Sequence, residues 1–104
     1  MTITTNRFAA RDGTKLAWHE VGKGRPLVLI HGLFSNARVN WVKFGHADLL
    51  GAAGFRVIMP DLRGHGVSAA PHDPAAWPQD VLVSDGMDLL AQLDLAPGSF
   101  DLGG

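Results

Sequence analysis

Two short runs hold most of the residues in this chain that could do chemistry. The first is His31-Gly32-Leu33-Phe34, which follows directly on the apolar stretch Pro26-Leu27-Val28-Leu29-Ile30. Gly32 lets the backbone turn sharply or pass close to a ligand, because it has no side chain to clash. The amides just after it are candidates to point at a bound anion or a developing oxyanion. The second run is Asp61-Leu62-Arg63-Gly64-His65-Gly66-Val67-Ser68. His65, set between two glycines, invites reading as a ligand or a base. Ser68 has no base predicted beside it, so a turn or capping role suits it better. The five histidines are scattered. No two stand at metal-ligand spacing on one predicted helix face, and no metal is expected. Gly22-Lys23-Gly24 has the glycine spacing of a dinucleotide loop, but it precedes a strand instead of following one, which excludes that reading.

The elements that must position these residues follow from pattern. Residues 6–10 and 15–21 read as strands joined by Arg11-Asp12-Gly13-Thr14, because Asp-Gly tolerates the positive φ of a tight hairpin. Leu16 and Trp18 alternate with Lys15 and Ala17, which predicts one buried face. The unbroken apolar run 26–30 predicts a strand covered on both faces. A helix is predicted over 41–53, with Asn40 as N-cap, Trp41, Phe44, Ala47 and Leu50 at helical spacing, and Gly54 as its stop. Gly45 is the weak point, at about 1 kcal/mol relative to alanine. Strand 56–60 leads into a glycine-rich loop over 61–71 and a proline-spaced link over 72–78. A second helix is predicted over 79–93, its inner face carrying Val83, Met87, Leu90 and Gln92–Leu93. Pro97-Gly98 breaks it before a strand beginning at Ser99. Strands alternating with helices after an N-terminal hairpin predict the α/β class, with a sheet that turns parallel from its third strand and helices on its faces.

Composition narrows the partners. The 104 residues suffice for one small domain, and 46% hydrophobic content is that of a globular chain. Nine basic residues stand against ten acidic ones, for a net charge of −1. With no basic stripe, nucleic acid is not expected as a partner. There is no cysteine, which removes disulfides and thiolate metal sites and leans the compartment towards cytoplasm. The N-terminus lacks the charged head and apolar run of a signal peptide. No apolar stretch approaches the roughly 20 residues that span a bilayer, so no membrane partner is expected.

In combination, the His-Gly pair ending strand three, the Asp-x-Arg-Gly-His-Gly-x-Ser run ending strand four, and Gly103-Gly104 ending strand five resemble the N-terminal part of an α/β-hydrolase-fold protein. The resemblance covers nearly the whole chain. It implies that strand three lies between strands four and five, so that the three loops meet at the C-terminal edge of the sheet. It also implies that Gly104 opens the nucleophile elbow Gly-x-Ser-x-Gly, and that nucleophile, acid and histidine base lie beyond residue 104. None of His19, His31, His46, His65 or His72 is then the catalytic base.

The roles implied by the resemblance are these. Leu33 supplies one oxyanion-hole N–H. Phe34 is a neighbouring donor or a wall of the substrate pocket. His31, Gly32, Asp61, Arg63, Gly64, His65, Gly66, Gly103 and Gly104 support the site, with Asp61 and Arg63 as an internal brace of the loop after strand four. Arg63 meeting an acidic substrate group is a minor alternative. Trp77 packs beneath a lid or against the second helix. The expected activity of the longer polypeptide is hydrolysis of ester, thioester or lactone bonds of a small-molecule substrate, with no cofactor and the oligomeric state left open. The segment alone is expected to be inactive. The absence of proline at position 34 weighs mildly against epoxide-hydrolase-like relatives. Haloalkane dehalogenases, epoxide hydrolases, acyltransferases and non-catalytic ligand-binding proteins of the same fold remain alternatives.

Overall fold

The sheet starts from the hairpin. β1 (Thr4–Ala9) pairs antiparallel with β2 (Lys15–Val21), in a register that sets Ala9 opposite Lys15. Asp12 Oδ1 accepts the Thr14 N–H at 3.0 Å across the turn, the side-chain bond that suits aspartate to this position. In the computed structural model, which describes residues 2–32 and 34–104, β2 then pairs antiparallel with β4 (Phe55–Asp61). β3 (Arg25–Leu29) lies parallel to β4 on one side and to β5 (Asp101–Gly103) on the other. The order is β1-β2-β4-β3-β5, so β3 stands between β4 and β5 as expected. The expected bounds shift by one or two residues at several strand ends, where pairing rather than composition sets the limit.

Period-two alternation divides the interior into two cores, one on each face of the sheet. Val28 and Ile58 join Phe8, Leu16, Trp18 and Leu89 on one face. Leu29, Val57 and Met59 join Val21, Ala37 and Ala47 on the other. Among the described residues, two α-helices, α1 (His46–Ala52) and α2 (Val81–Gln92), cover opposite faces, through Ala47 and Leu89 respectively. The predicted open face of β2 is not kept: Ala17 is as buried as Leu16 and Trp18. β2 has partners on both edges and a core on both faces.

Two helical expectations need correction. The single helix over 41–53 is instead a π-helical turn over Arg38–Val42, followed by α1. Lys43 N–H bonds to the Arg38 carbonyl at 2.8 Å, and Gly45 at φ +85° breaks the path. Left-handed backbone is where glycine costs least, so the weak point of the helix is its boundary. Asn40 caps nothing; its Oδ1 accepts the Gly32 N–H at 2.7 Å. Phe44 is 72% exposed, while Trp41, Ala47 and Leu50 pack on the core. On α2 the buried stripe is Asp85 and Leu89, with Leu90 and Leu93 packed beside it. Val83 and Met87, expected inside, are 66% and 58% exposed and border a groove between α2 and the sheet, while Gln92 is exposed. Asp85 is buried because its carboxylate pairs with the buried Arg63 guanidinium.

Candidate functional site

The strand order brings three strand ends together at the C-terminal edge of the parallel strands. The Ile30 N–H donates to the Gly103 carbonyl at 2.9 Å, which sets Gly103 and Gly104 beside the start of the His31 loop. A Cβ on Gly104 would stand 3.4 Å from the Ile30 carbonyl oxygen. The loop after β4 flanks the other side.

Asp61, the last residue of β4, is the hub of this edge. Its Oδ1 accepts the Ala37 N–H at 2.9 Å, and its Oδ2 accepts the Val67 N–H at 3.1 Å and a hydrogen from His19 Nε2 at 2.8 Å. One carboxylate thus ties the end of the loop after β3, the loop after β4 and strand β2. Burial pushes this carboxyl up, yet the His19 ring and the two amides outweigh that and hold it below the ordinary aspartate value. Gly66, at φ +53°, leaves room for it: any Cβ there would run into the Asp61 carboxylate. Ser68 completes the corner. Its hydroxyl donates to the Asp61 carbonyl at 2.6 Å and accepts the Ala17 N–H at 2.8 Å, so both its polar functions are structural.

Arg63 is 1% exposed and does not meet Asp61. Its five N–H hydrogens all have acceptors. Nε and Nη2 donate to Asp85 at 2.9 and 2.8 Å, Nη1 and Nη2 to Asp12 at 2.6 and 3.1 Å, and Nη1 also to the Ala76 carbonyl at 2.7 Å. The expected Asp61–Arg63 brace is therefore two separate clamps, one on each face of the same loop. A saturated guanidinium has no donor left for an acidic substrate group. The hydrogen bond from Arg63, then that from the Thr14 N–H, hold the Asp12 carboxyl far below its usual range.

The two histidines of the edge accept backbone hydrogens. His31 is buried, its Nε2 taking the Leu62 N–H at 2.9 Å while Nδ1 bonds to the Gly32 carbonyl at 2.7 Å. His65 Nε2 takes the Phe34 N–H at 3.3 Å, and its Nδ1 bonds to the Arg63 carbonyl at 3.0 Å. The rings are 5.1 Å apart. Amides near Gly32 are thus committed: Gly32 to Asn40, Phe34 to His65, and Ser35 to the Gly32 carbonyl. The Phe34 N–H is already bonded, and its ring is 92% exposed. Leu33 lies outside the described residues.

Between the two loops opens a cleft of about 470 Å³, lined by Phe34, Ser35, His65, Pro71, His72 and Trp77, among others. Trp77 is fixed there by its Nε1–H, which donates to the Pro71 carbonyl at 2.8 Å. It lies under Gly64, where a Cβ would come within 2.8 Å of the indole. Among the described residues no three His, Asp or Glu side chains could share a metal ion. No helix among them is long and apolar enough to cross a membrane.

Sequence reasoning missed His19, Asp12, Asp85 and Asn40 as members of this edge. His19 lies 42 residues from Asp61, and Asp85 lies 22 from Arg63, so no local motif links them. Asp85 falls off the predicted inner stripe of Val83, Met87 and Leu90, so the helical pattern carried no signal for its burial.

Residues 25–97 match the family described as alpha/beta hydrolase fold. The chain is 40% identical over 90 residues to the non-heme chloroperoxidase CPO-A1 of Kitasatospora aureofaciens, covering 82% of this chain and 29% of that protein. Other curated relatives include epoxide hydrolases, one of them from Siraitia grosvenorii at 34% identity over 95 residues, covering 90% of this chain and 27% of that protein. Among solved structures, epoxide hydrolase VrEH1 from Vigna radiata superposes with a TM-score of 0.81 at 27% identity, over 96% of this chain and 29% of that one. The chain therefore spans under a third of the length of these relatives.

Proposed function

The chain belongs to the α/β-hydrolase fold family, and from that premise we propose that it is the N-terminal part of a hydrolase domain and supplies one half of its oxyanion hole. The donor assigned is the Leu33 N–H. The observation that carries this is the strand order, which sets the loop that begins at His31 beside Gly103 and Gly104 at the C-terminal edge of the parallel strands. Backbone donors held at such an edge stabilise developing charge without reorganising.

The reaction proposed is hydrolysis of an ester, thioester or lactone. A nucleophile two residues past Gly104, on the elbow that follows β5, attacks the acyl carbon, and the carbonyl electrons move onto oxygen opposite Leu33. The intermediate collapses by expelling the alcohol or thiol, which leaves with a proton from the histidine base. Water then releases the acid by the reverse sequence. The substrate group would enter through the cleft between Phe34 and Trp77. Losing one oxyanion donor typically costs about 3 kcal/mol, or roughly a hundredfold in rate.

A second reading has specific support. The curated epoxide hydrolases and the VrEH1 superposition favour opening of an epoxide by an aspartate nucleophile in the same place. Phe34, where such relatives are expected to carry proline, argues the other way. One experiment separates the two: treat the full-length protein with a fluorophosphonate probe and, in parallel, with an aryl epoxide. Labelling without diol formation supports the serine hydrolase. Diol formation without labelling replaces it with the epoxide reading. A folded protein that does neither overturns both readings.

A further inference from the structure

We propose that His65 is a positioning residue for the loop after β3, and that it can fill this role only as a neutral ring with its hydrogen on Nδ1. The assignment follows from its partners. Phe34 offers His65 Nε2 an N–H at 3.3 Å, and an amide nitrogen cannot accept a hydrogen bond in return. The Arg63 carbonyl lies 3.0 Å from Nδ1, and a carbonyl oxygen cannot donate. Nε2 must therefore be bare and Nδ1 protonated. His31 obeys the same constraint, with the Leu62 N–H at Nε2 and the Gly32 carbonyl at Nδ1.

The two bonds cross between the loops in opposite senses. His65, from the loop after β4, accepts from the loop after β3. His31, at the end of β3, accepts from the loop after β4. The result is a reciprocal latch of two rings 5.1 Å apart. It acts on a segment that needs holding: Phe34 has φ +61°, a conformation that side chains other than glycine rarely adopt.

Adding a proton to His65 would set an N–H against the Phe34 N–H and break the contact. Among the described residues, the nearby titratable and charged groups do not offer the new hydrogen an acceptor. His31 uses both nitrogens, and the Asp61 carboxylate is bonded to His19, Ala37 and Val67. The Arg63 guanidinium faces Asp12, Asp85 and the Ala76 carbonyl, and His72 lines the far side of the cleft. The geometry of the loop is therefore gated by protonation. Its consequence for catalysis rests on the oxyanion role proposed for this loop; the latch itself does not.

The test measures hydrogen exchange of the Phe34 amide and the ¹⁵N imidazole shifts of His65 in the full-length protein, from neutral pH downward. Three forms are compared: wild type, His65→Ala, and His65→Gln, whose Oε1 can accept the same hydrogen but does not titrate in this range. In wild type, the ring is expected to show the Nδ1–H tautomer. Phe34 protection is expected to fall about tenfold as the ring signal reports protonation, the effect of losing one hydrogen bond. His65→Ala should lack that protection at every pH, and His65→Gln should keep it without the step. A ring with its hydrogen on Nε2, a His65→Ala protein with wild-type protection, or a pH step retained in His65→Gln would each overturn the proposal. Should His65→Ala fail to fold, the tautomer and the His65→Gln titration still decide it. These readouts do not depend on probe labelling or turnover, so their failure is separable from failure of the hydrolase reading.

Discussion

At the scale of single residues, the edge of the sheet works because few groups serve several partners. Asp61 holds two loops and a strand with one carboxylate, and that concentration makes it fragile. Asp61→Ala leaves His19 and the Ala37 and Val67 amides without their acceptor. Removing one side of such a buried network is expected to lower stability by about 3–5 kcal/mol, measurable by urea unfolding. Gly66→Ala tests the same point by space rather than charge. The new methyl meets the Asp61 carboxylate in a backbone conformation unfavourable to alanine, so a loss of about 2 kcal/mol or more is expected. If Gly66→Ala unfolds at the wild-type denaturant midpoint, the close packing of these two residues is wrong.

At the scale of elements, Arg63 joins three of them: the β1–β2 turn through Asp12, the link before α2 through Ala76, and α2 through Asp85. Arg63→Met should destabilise by about 3–5 kcal/mol, because Asp85 is left buried without its partner. Arg63→Met with Asp85→Leu should recover most of that loss, since an apolar pair of similar volume can replace a buried ion pair. A double variant no more stable than Arg63→Met would show that the clamp matters for its geometry rather than its charge. The same clamps set an acid limit. The carboxyls of Asp12 and Asp61 lie below their ordinary values in the folded chain. As pH falls, the unfolded chain therefore takes up protons first. The contribution is complete above about pH 5 and is lost progressively below about pH 4, as the pH approaches the folded values. Urea midpoints taken between those conditions should fall with pH, and Asp12→Asn should flatten part of the slope. A midpoint independent of pH would mean these carboxyls are not depressed.

At the scale of the whole molecule, one face is open and apolar. Val83 and Met87 on α2 and Leu102 on β5 are more than half exposed. With Phe8, Val28 and Leu90 they border a groove of about 430 Å³ between α2 and the sheet. The outer edge of β5 has no strand beside it among the described residues. An apolar groove next to a bare strand edge favours association. The 104-residue chain by itself is expected to bind an apolar dye and to sediment as more than a monomer. Lysine at positions 83 and 87 together should shift it towards the monomer. It is also expected to show no ester turnover. A monodisperse, dye-silent monomer would place these side chains differently.

Much of this was legible in the amino-acid order, because it depends on near neighbours along the chain. The apolar run 26–30 marked a strand covered on both faces, Asp12-Gly13 marked the hairpin, and glycine-bounded loops marked the strand ends. Their order alone implied an α/β sheet. Other features depended on groups that meet only after folding. Asp61 and Arg63 are near neighbours in sequence, yet their side chains belong to different clamps. Asp85 is buried on α2 because Arg63, 22 residues away in sequence, meets it across the interface. Asn40 turned from a helix cap to Gly32 because the π-helical turn carries it back to the strand end. Side-chain polar partners are chosen by burial and distance in three dimensions, where a hydrogen bond left unmade is costly, and the linear pattern carries no record of those distances.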